Sequence, residues 1–338
     1  MPLFGMFSND IAIDLGTANT LIYMKGKGIV LNEPSIVTYD VSSRKIIAIG
    51  EESKKMMGKV HKELATIRPM KDGVIADFEI AEGMIKEFIK KISSSWMPAR
   101  RIVICVPSGI TEVEKRAVRD TAEHAGAKEV YLISEPMAAA IGIGLDVMAP
   151  YGNMIVDIGG GTTEIAVIAL SGITNGASIR IAGDELTESI IRFFRNNHNI
   201  LIGERTAEEI KCQVGSVMPL KEEVIIEVKG RDLVAGIPKI TEVSSIEIRE
   251  SLNAPIAQMI EAVKVALEKT APELSADLLD RGIFLTGGGA LIKGLDERIK
   301  METGVPVHVA EDPLTAVARG TGKVLEDLDY FKKVLLRR

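Results

Sequence analysis

The sequence predicts an α/β chain folded as two related lobes with a cleft between them, each lobe carrying a smaller inserted subdomain. Three observations predict it. First, Ile11-Ala12-Ile13-Asp14-Leu15-Gly16-Thr17-Ala18-Asn19-Thr20 returns in pattern as Ile155-Val156-Asp157-Ile158-Gly159-Gly160-Gly161-Thr162-Thr163-Glu164. Second, Glu135-Pro136-Met137-Ala138-Ala139-Ala140 resembles Asp312-Pro313-Leu314-Thr315-Ala316-Val317, and follows its hairpin in the same order. Two pairs in one order indicate an internal repeat rather than chance. Third, strand-like runs alternate with amphipathic helices along the chain, as in α/β folds with mixed sheets.

Each repeated segment reads as a buried strand ending in Asp, a glycine-rich turn and a second strand, at 21–23 and at 165–168. Ile80, Met84, Ile85, Phe88, Ile89 and Ile92 recur at helical spacing. Thr111 and Glu114 form a capping-box pattern that opens a helix after a strand at 102–106. Glu135 follows a strand at 130–133 and begins a helix of small residues. Leu186, Ile190, Ile191 and Phe194 mark another helix, and Thr206 with Glu209 reads as the cap of the next. Ile256, Met259, Ile260, Val263 and Leu267 mark a long helix that stops before Pro272. A strand at 282–285 runs into Thr286-Gly287-Gly288-Gly289-Ala290, with a helix expected from Leu291. Residues 34–77 and 183–245 read as insertions, one on each half.

Composition bounds the function. Of 338 residues 46% are hydrophobic, and the net charge is −6. That excludes a disordered chain. Basic and acidic residues are interleaved, apart from Lys332, Lys333, Arg337 and Arg338 at the tail, which argues against a nucleic-acid binder. Cys105 and Cys212 read as reduced core thiols, and His61, His124, His198 and His308 are too scattered for a zinc site. The longest charge-free run, 165–179, falls short of the roughly 20 apolar residues a spanning helix needs. The segment Met1 to Phe7 is apolar but lacks a basic n-region, so no signal peptide is expected.

The repeated motif has a clear chemical use. Backbone N–H groups in a tight glycine turn point into one concavity and bind anionic oxygens. A carboxylate beside them, Asp14 or Asp157, holds the water shell of a magnesium ion. Two such hairpins face to face would clamp a polyphosphate. A strand ending in Gly287, Gly288 and Gly289 suits a flat ligand against bare backbone. Glu208 and Lys211, three apart on a helix, share a face and offer one acceptor and one donor to a ribose, or else a solvated ion pair.

Taken together, these residues resemble the actin, heat-shock-70 and sugar-kinase superfamily over residues 9–325. Within it, Asp14 to Thr20, Arg68-Pro69-Met70-Lys71-Asp72-Gly73-Val74-Ile75-Ala76-Asp77, Asp157 to Glu164 and Leu285 to Gly289 are similar to the bacterial actin-like, filament-forming branch. The resemblance implies an actin-like fold, with lobe cores at 9–33, 78–146 and about 314–338, and at 147–182 and 246–313. Subdomains are expected at 34–77 and 183–245, and a membrane-contacting segment at 1–8. It implies ATP with Mg2+ in the cleft. Gly16, Thr17, Ala18 and Asn19 would meet phosphates on one side, and Gly159, Gly160, Gly161 and Thr162 on the other. Glu208, Glu209, Ile210 and Lys211 would approach the ribose, and Gly287, Gly288, Gly289 and Ala290 would back the adenine. Glu135 matches the water-activating carboxylate, with Thr162 helping to place that water. Unlike actin itself, the first hairpin has no Lys.

The resemblance further implies an ATPase whose paired filaments lie on the inner face of the cytoplasmic membrane. Such filaments work with membrane proteins of the cell-wall elongation machinery to maintain rod shape. Leu3, Phe4, Met6 and Phe7, with Trp96 and Met97, are the candidate membrane contacts. Each large apolar side chain buried contributes roughly 1.5–3 kcal/mol, and a filament repeats the contact many times. A sugar-type kinase would share the ATP site but needs a sugar pocket and its own catalytic base, for which no candidate stands out. A heat-shock chaperone would need a substrate domain beyond the point where this chain ends.

Overall fold

The computed structural model describes residues 10–92 and 101–336. Leu3, Phe4, Met6, Phe7, Trp96, Met97, Arg337 and Arg338 lie outside the described residues.

Two five-stranded sheets carry the repeat. The first runs Glu129–Ser134, Arg101–Val106, Ile11–Leu15, Asn19–Met24 and Gly28–Pro34. Its first three strands are parallel, and its last three form an antiparallel meander. The second runs Val307–Val309, Ile283–Thr286, Asn153–Ile158, Thr163–Ala169 and Gly172–Ile179, in the same order and directions. Even the irregularity is shared, since each meander shifts register between its second and third strands, at Ile22/Tyr23 and at Val167/Ile168. The inner strands are apolar on both faces because helices cover both sides.

The repeated Glu135 and Asp312 segments each open a helical segment at a proline: Glu135–Gly142, and Pro313–Thr315 leading into Ala316–Glu326. These two helices cross between the sheets. Gly142 sits against the Ala316 carbonyl and Gly320 against the Ala138 carbonyl, so backbone meets backbone. Met137, Ile141, Val317, Val324, Ile155 and Ala12 close this joint as one apolar cluster reaching both sheets.

Outside the cores lie two small sheets. Val37–Asp40 pairs with Ile46–Ile49 and Leu64–Ile67. Ile225–Asp232 pairs with Ile200–Leu201 and Pro238–Ser244, beside the helices Gly183–Asn197 and Glu204–Val214. The Thr111–Glu114 capping box is present, and Ser244 with Glu247 forms another that opens the long helix Ser245–Glu268.

Three expectations are corrected. Thr206 does not cap a helix: Glu204–Val214 begins after Gly203, so Thr206 lies inside it and Glu209 pairs with Arg205 at 2.9 Å. The triple glycine leads into a 3-10 turn, Gly288–Leu291, and the α-helix begins only at Leu295, after a left-handed Gly294. Cys105 is buried as expected, but Cys212 is exposed. The helix Glu204–Val214 buries Ala207, Ile210, Lys211 and Val214, and position 212 falls off that stripe.

Candidate functional site

The two glycine turns face each other at the cleft. A Cβ on Gly160 would lie 2.8 Å from the Ala18 Cβ, and one on Gly161 would lie 2.7 Å from Thr17 Oγ1. Only bare backbone permits this approach. A third turn covers them. Met70–Lys71 and Val74–Ile75 form a short hairpin whose turn residues, Asp72 and Gly73, both have positive φ (51° and 76°). Asp-Gly supplies the left-handed pair that a two-residue hairpin turn demands. The Gly73 N–H donates to Thr17 Oγ1 at 3.1 Å, and the Asp72 backbone lies against Gly161. This contact gives a physical reason for the Arg68 to Asp77 segment, which reading the sequence recognised only by resemblance.

Beyond the turns opens a cavity of about 940 Å3, within the usual size of small-molecule sites. Asp14, Gly16, Thr17, Ala18 and Asn19 line it from the first lobe. Asp157, Gly159, Gly160, Gly161 and Thr162 line it from the second, with Gly287, Gly288 and Gly289 on the same wall. Glu135 is at the cavity, as are Glu208, Glu209 and Lys211. Ile210 and Ala290 are instead packed into the second lobe's apolar core. Gly287 is irreplaceable by geometry: its φ is +78°, and a Cβ would stand 2.3 Å from the Ile158 carbonyl oxygen and 2.9 Å from Asp157 Oδ1.

Three carboxyls converge at the inner end. Burial pushes Asp14 up to about 6, against a hydrogen bond from Cys105. Burial pushes Asp157 up to about 7, against a hydrogen bond from Thr286, with the charges of Asp14 and Glu164 adding to the rise. Glu135 rises well above the carboxylate range, through burial first and then the charges of Glu164, Asp157 and Asp14. Among the described residues no cation acts to lower any of the three, and a divalent cation with bound phosphates fits such an acidic group. Among the described residues no three His, Cys, Asp or Glu side chains form a metal-holding group. Magnesium typically takes one or two carboxylates and keeps waters and phosphate oxygens.

At the far end Lys211 is buried and ties three groups together. Its Nζ donates to the Gly183 carbonyl and to Thr187 Oγ1, both at 2.9 Å, and lies 2.6 Å from Glu208 Oε2. Burial acts to raise Glu208, but the charge and hydrogen bond of Lys211, with hydrogen bonds from Thr187 and Cys212, leave it lowered. Glu208 and Lys211 are therefore both an ion pair and part of the cavity wall.

Sequence reasoning missed several neighbours. Arg68 reaches across the cleft mouth to Glu204 at 2.6 Å. Asp184, raised by burial, lines the cavity beside Gly183. Glu164, fully buried, accepts from the Ser108 N–H at 2.9 Å and from Ser178 Oγ, and so pins the first lobe's loop to the second sheet. Only Glu164 carried a signal, as an acid within a strand otherwise apolar through Ala169.

The MreB/Mbl protein family profile matches residues 8–333. The chain is 55% identical to the cell shape-determining protein MreB of Escherichia coli K12 over 331 residues, covering 96% of this chain and 95% of that one. It is 50% identical to the cell shape-determining protein Mbl of Bacillus subtilis 168, covering 97% and 99%. Among solved structures it is similar to MreB5 of Spiroplasma citri bound to AMPPNP, at 37% identity and a TM-score of 0.90, covering 95% and 96%. The fold is thus actin-like, and by sequence and structure alike this chain belongs to the MreB/Mbl family.

Proposed function

We propose that the chain is an ATP-hydrolysing, filament-forming cytoskeletal protein that works at the cytoplasmic membrane in cell-wall synthesis and rod shape. One observation carries the nucleotide assignment: two Asp-bearing glycine turns face each other across one cavity, and burial there raises both of their carboxyls. The relative from Spiroplasma citri is bound to AMPPNP, an ATP analogue, in one structure and to ADP in another, which supports the same reading. Gly16 to Asn19 and Gly159 to Thr162 take the phosphates, Glu208, Glu209 and Lys211 the ribose end, and Gly287, Gly288 and Gly289 the base, with Ile210 and Ala290 packed behind them. Asp14 and Asp157 hold Mg2+ through water, and the ion, when bound, supplies the charge that offsets the phosphates. Glu135 orients the attacking water, with Thr162 helping to place it. Such a site needs little beyond positioning and charge neutralisation. Glu135→Ala is expected to keep ATP binding and lose phosphate release. Release at the parental rate would remove Glu135 from the chemistry.

Filament contacts would use surfaces near 34–77 and 183–245. Val234, Ile237 and Ile240 expose apolar side chains toward the turn end of the hairpin formed by Ile225–Asp232 and Pro238–Ser244, a surface suited to a second copy. ATP should therefore drive the protein into paired filaments that sediment at micromolar concentration, and a supernatant that stays full across salt and temperature would count against assembly. No helix among the described residues is long and apolar enough to cross a membrane. Attachment is assigned to Leu3, Phe4, Met6, Phe7, Trp96 and Met97. Deleting residues 2–7 and changing Trp96→Ser should abolish liposome co-sedimentation while sparing ATP binding.

A further inference from the structure

We propose that Thr286 and Cys105 are a matched pair of positioning residues, one in each lobe, that aim the carboxylates of Asp157 and Asp14 at the magnesium site. This rests on the nucleotide reading above and assigns it two further residues.

The register makes the match. Asp157, next to last in its hairpin strand, lies directly beside Thr286 on the parallel neighbour, Ile283–Thr286. In the first sheet Ile13 lies beside Ile104, so the next step brings Asp14 beside Cys105 on Arg101–Val106. The two donors thus occupy equivalent positions of the two halves. Thr286, fully buried, donates its hydroxyl to Asp157 Oδ1 at 2.8 Å. The Cys105 thiol, also buried, lies 3.3 Å from Asp14 Oδ1 and 3.8 Å from the Ile13 carbonyl. Among the described residues neither carboxyl receives another hydrogen bond. Each aspartate therefore has one oxygen tied to the neighbouring strand and the other uncommitted.

A carboxylate held by one oxygen cannot spin about its last torsion, and presents the second oxygen in a fixed direction. Donors behind a metal-facing group act in this way, and their loss commonly lowers metal affinity by about 10–100-fold. The two anchors differ in strength, since a hydroxyl is a good donor and a thiol a weak one. Asp157 is the firmly held carboxylate, and Asp14 the looser one.

The test is ATP affinity of the full-length chain, titrated once in Mg2+ and once in EDTA. The ratio of the two is the magnesium increment. Thr286→Val, of the same shape without a donor, should cut that increment about tenfold and change the EDTA affinity little. Thr286→Ser should restore it. Cys105→Ala should lower it by no more than about threefold, as befits a weak donor, and Cys105→Ser should keep it. A parental increment in folded Thr286→Val overturns the proposal. So does an equal loss in EDTA, which marks a merely structural role, or failure of Thr286→Ser to restore binding. Where Thr286→Val does not fold, Thr286→Ala carries the test, and a parental increment there is equally fatal. A parent chain with no magnesium increment at all would sink the nucleotide–magnesium reading itself, and is read separately.

Discussion

The joint between the lobes predicts that Gly320→Ala is damaging although it adds one methyl group to a helix. Helix propensity alone favours the change by about 0.8–1.0 kcal/mol. Packing opposes it. A Cβ on Gly320 would stand 1.7 Å from the Ala138 carbonyl oxygen and 2.8 Å from the Gly142 nitrogen. A comfortable carbon–oxygen contact is about 3.3 Å, so the helices must part by roughly 1.5 Å. The atoms in the way are backbone, which no rotamer change can move aside. Forcing extra volume into a packed core costs about 1–3 kcal/mol, occasionally more. Parting these helices also strips contacts from Met137, Ile141, Val317 and Val324. Against the propensity gain this leaves a net destabilisation of about 0–2 kcal/mol, toward the upper end because the obstructing atoms are backbone. Function should suffer more than stability, because the moving helix begins at Glu135, and a shift of about 1 Å at a reacting group can lower a rate 100-fold. Urea unfolding and ATP-dependent phosphate release measure the two effects. An unchanged unfolding midpoint together with a parental release rate would refute the reasoning.

Three further outcomes follow from the same structure. Asp14 and Asp157 sit at about 6 and about 7, above the ordinary 3.8, so the folded state binds their protons more tightly than the unfolded chain does. Their contribution is fully present below about pH 4 and is lost as pH rises through 6 to 7; the melting-point gain from Mg-ATP should therefore be larger at pH 8 than at pH 6, and a pH-independent gain contradicts this. Lys211→Met leaves the Gly183 carbonyl and Glu208 without their cation and should destabilise the fold by about 2 kcal/mol, seen as a lower unfolding midpoint; no shift would mean the pair is dispensable. Arg68→Ala removes the partly exposed tie to Glu204 across the cleft mouth and should speed nucleotide release by about 2–5-fold in stopped-flow chase, with Glu204→Gln giving the same factor and the double variant no more.

Much of the fold was legible because its determinants are local. The Asp-and-glycine hairpins announce themselves by strand patterning on both sides of a turn, and the repeat gave the two lobes. The Thr111–Glu114 cap needed only its own four residues. What stayed hidden depends on the partner. Gly142 and Gly320 read as unremarked small residues until their helices cross. Thr286 and Cys105 acquire meaning only from the parallel register that sets them beside Asp157 and Asp14. The Asp72-Gly73 turn signals a hairpin, but not that it lies on both glycine turns. Thr206 and Glu209 had capping spacing, yet Gly203 starts the helix and leaves them inside it. Cys212 is hydrophobic by composition and exposed by helical phase.

A magnesium nucleotide held between two lobes by the paired carboxylates is the central proposal. The most direct measurement is calorimetric titration of the full-length chain and of Asp157→Ala with Mg-ATP. The account predicts one saturable site per parent chain, and binding strongly weakened in the variant while its melting profile without nucleotide is retained or improved, since a destabilising buried charge is gone. Equal affinity in the folded parent and variant would contradict it.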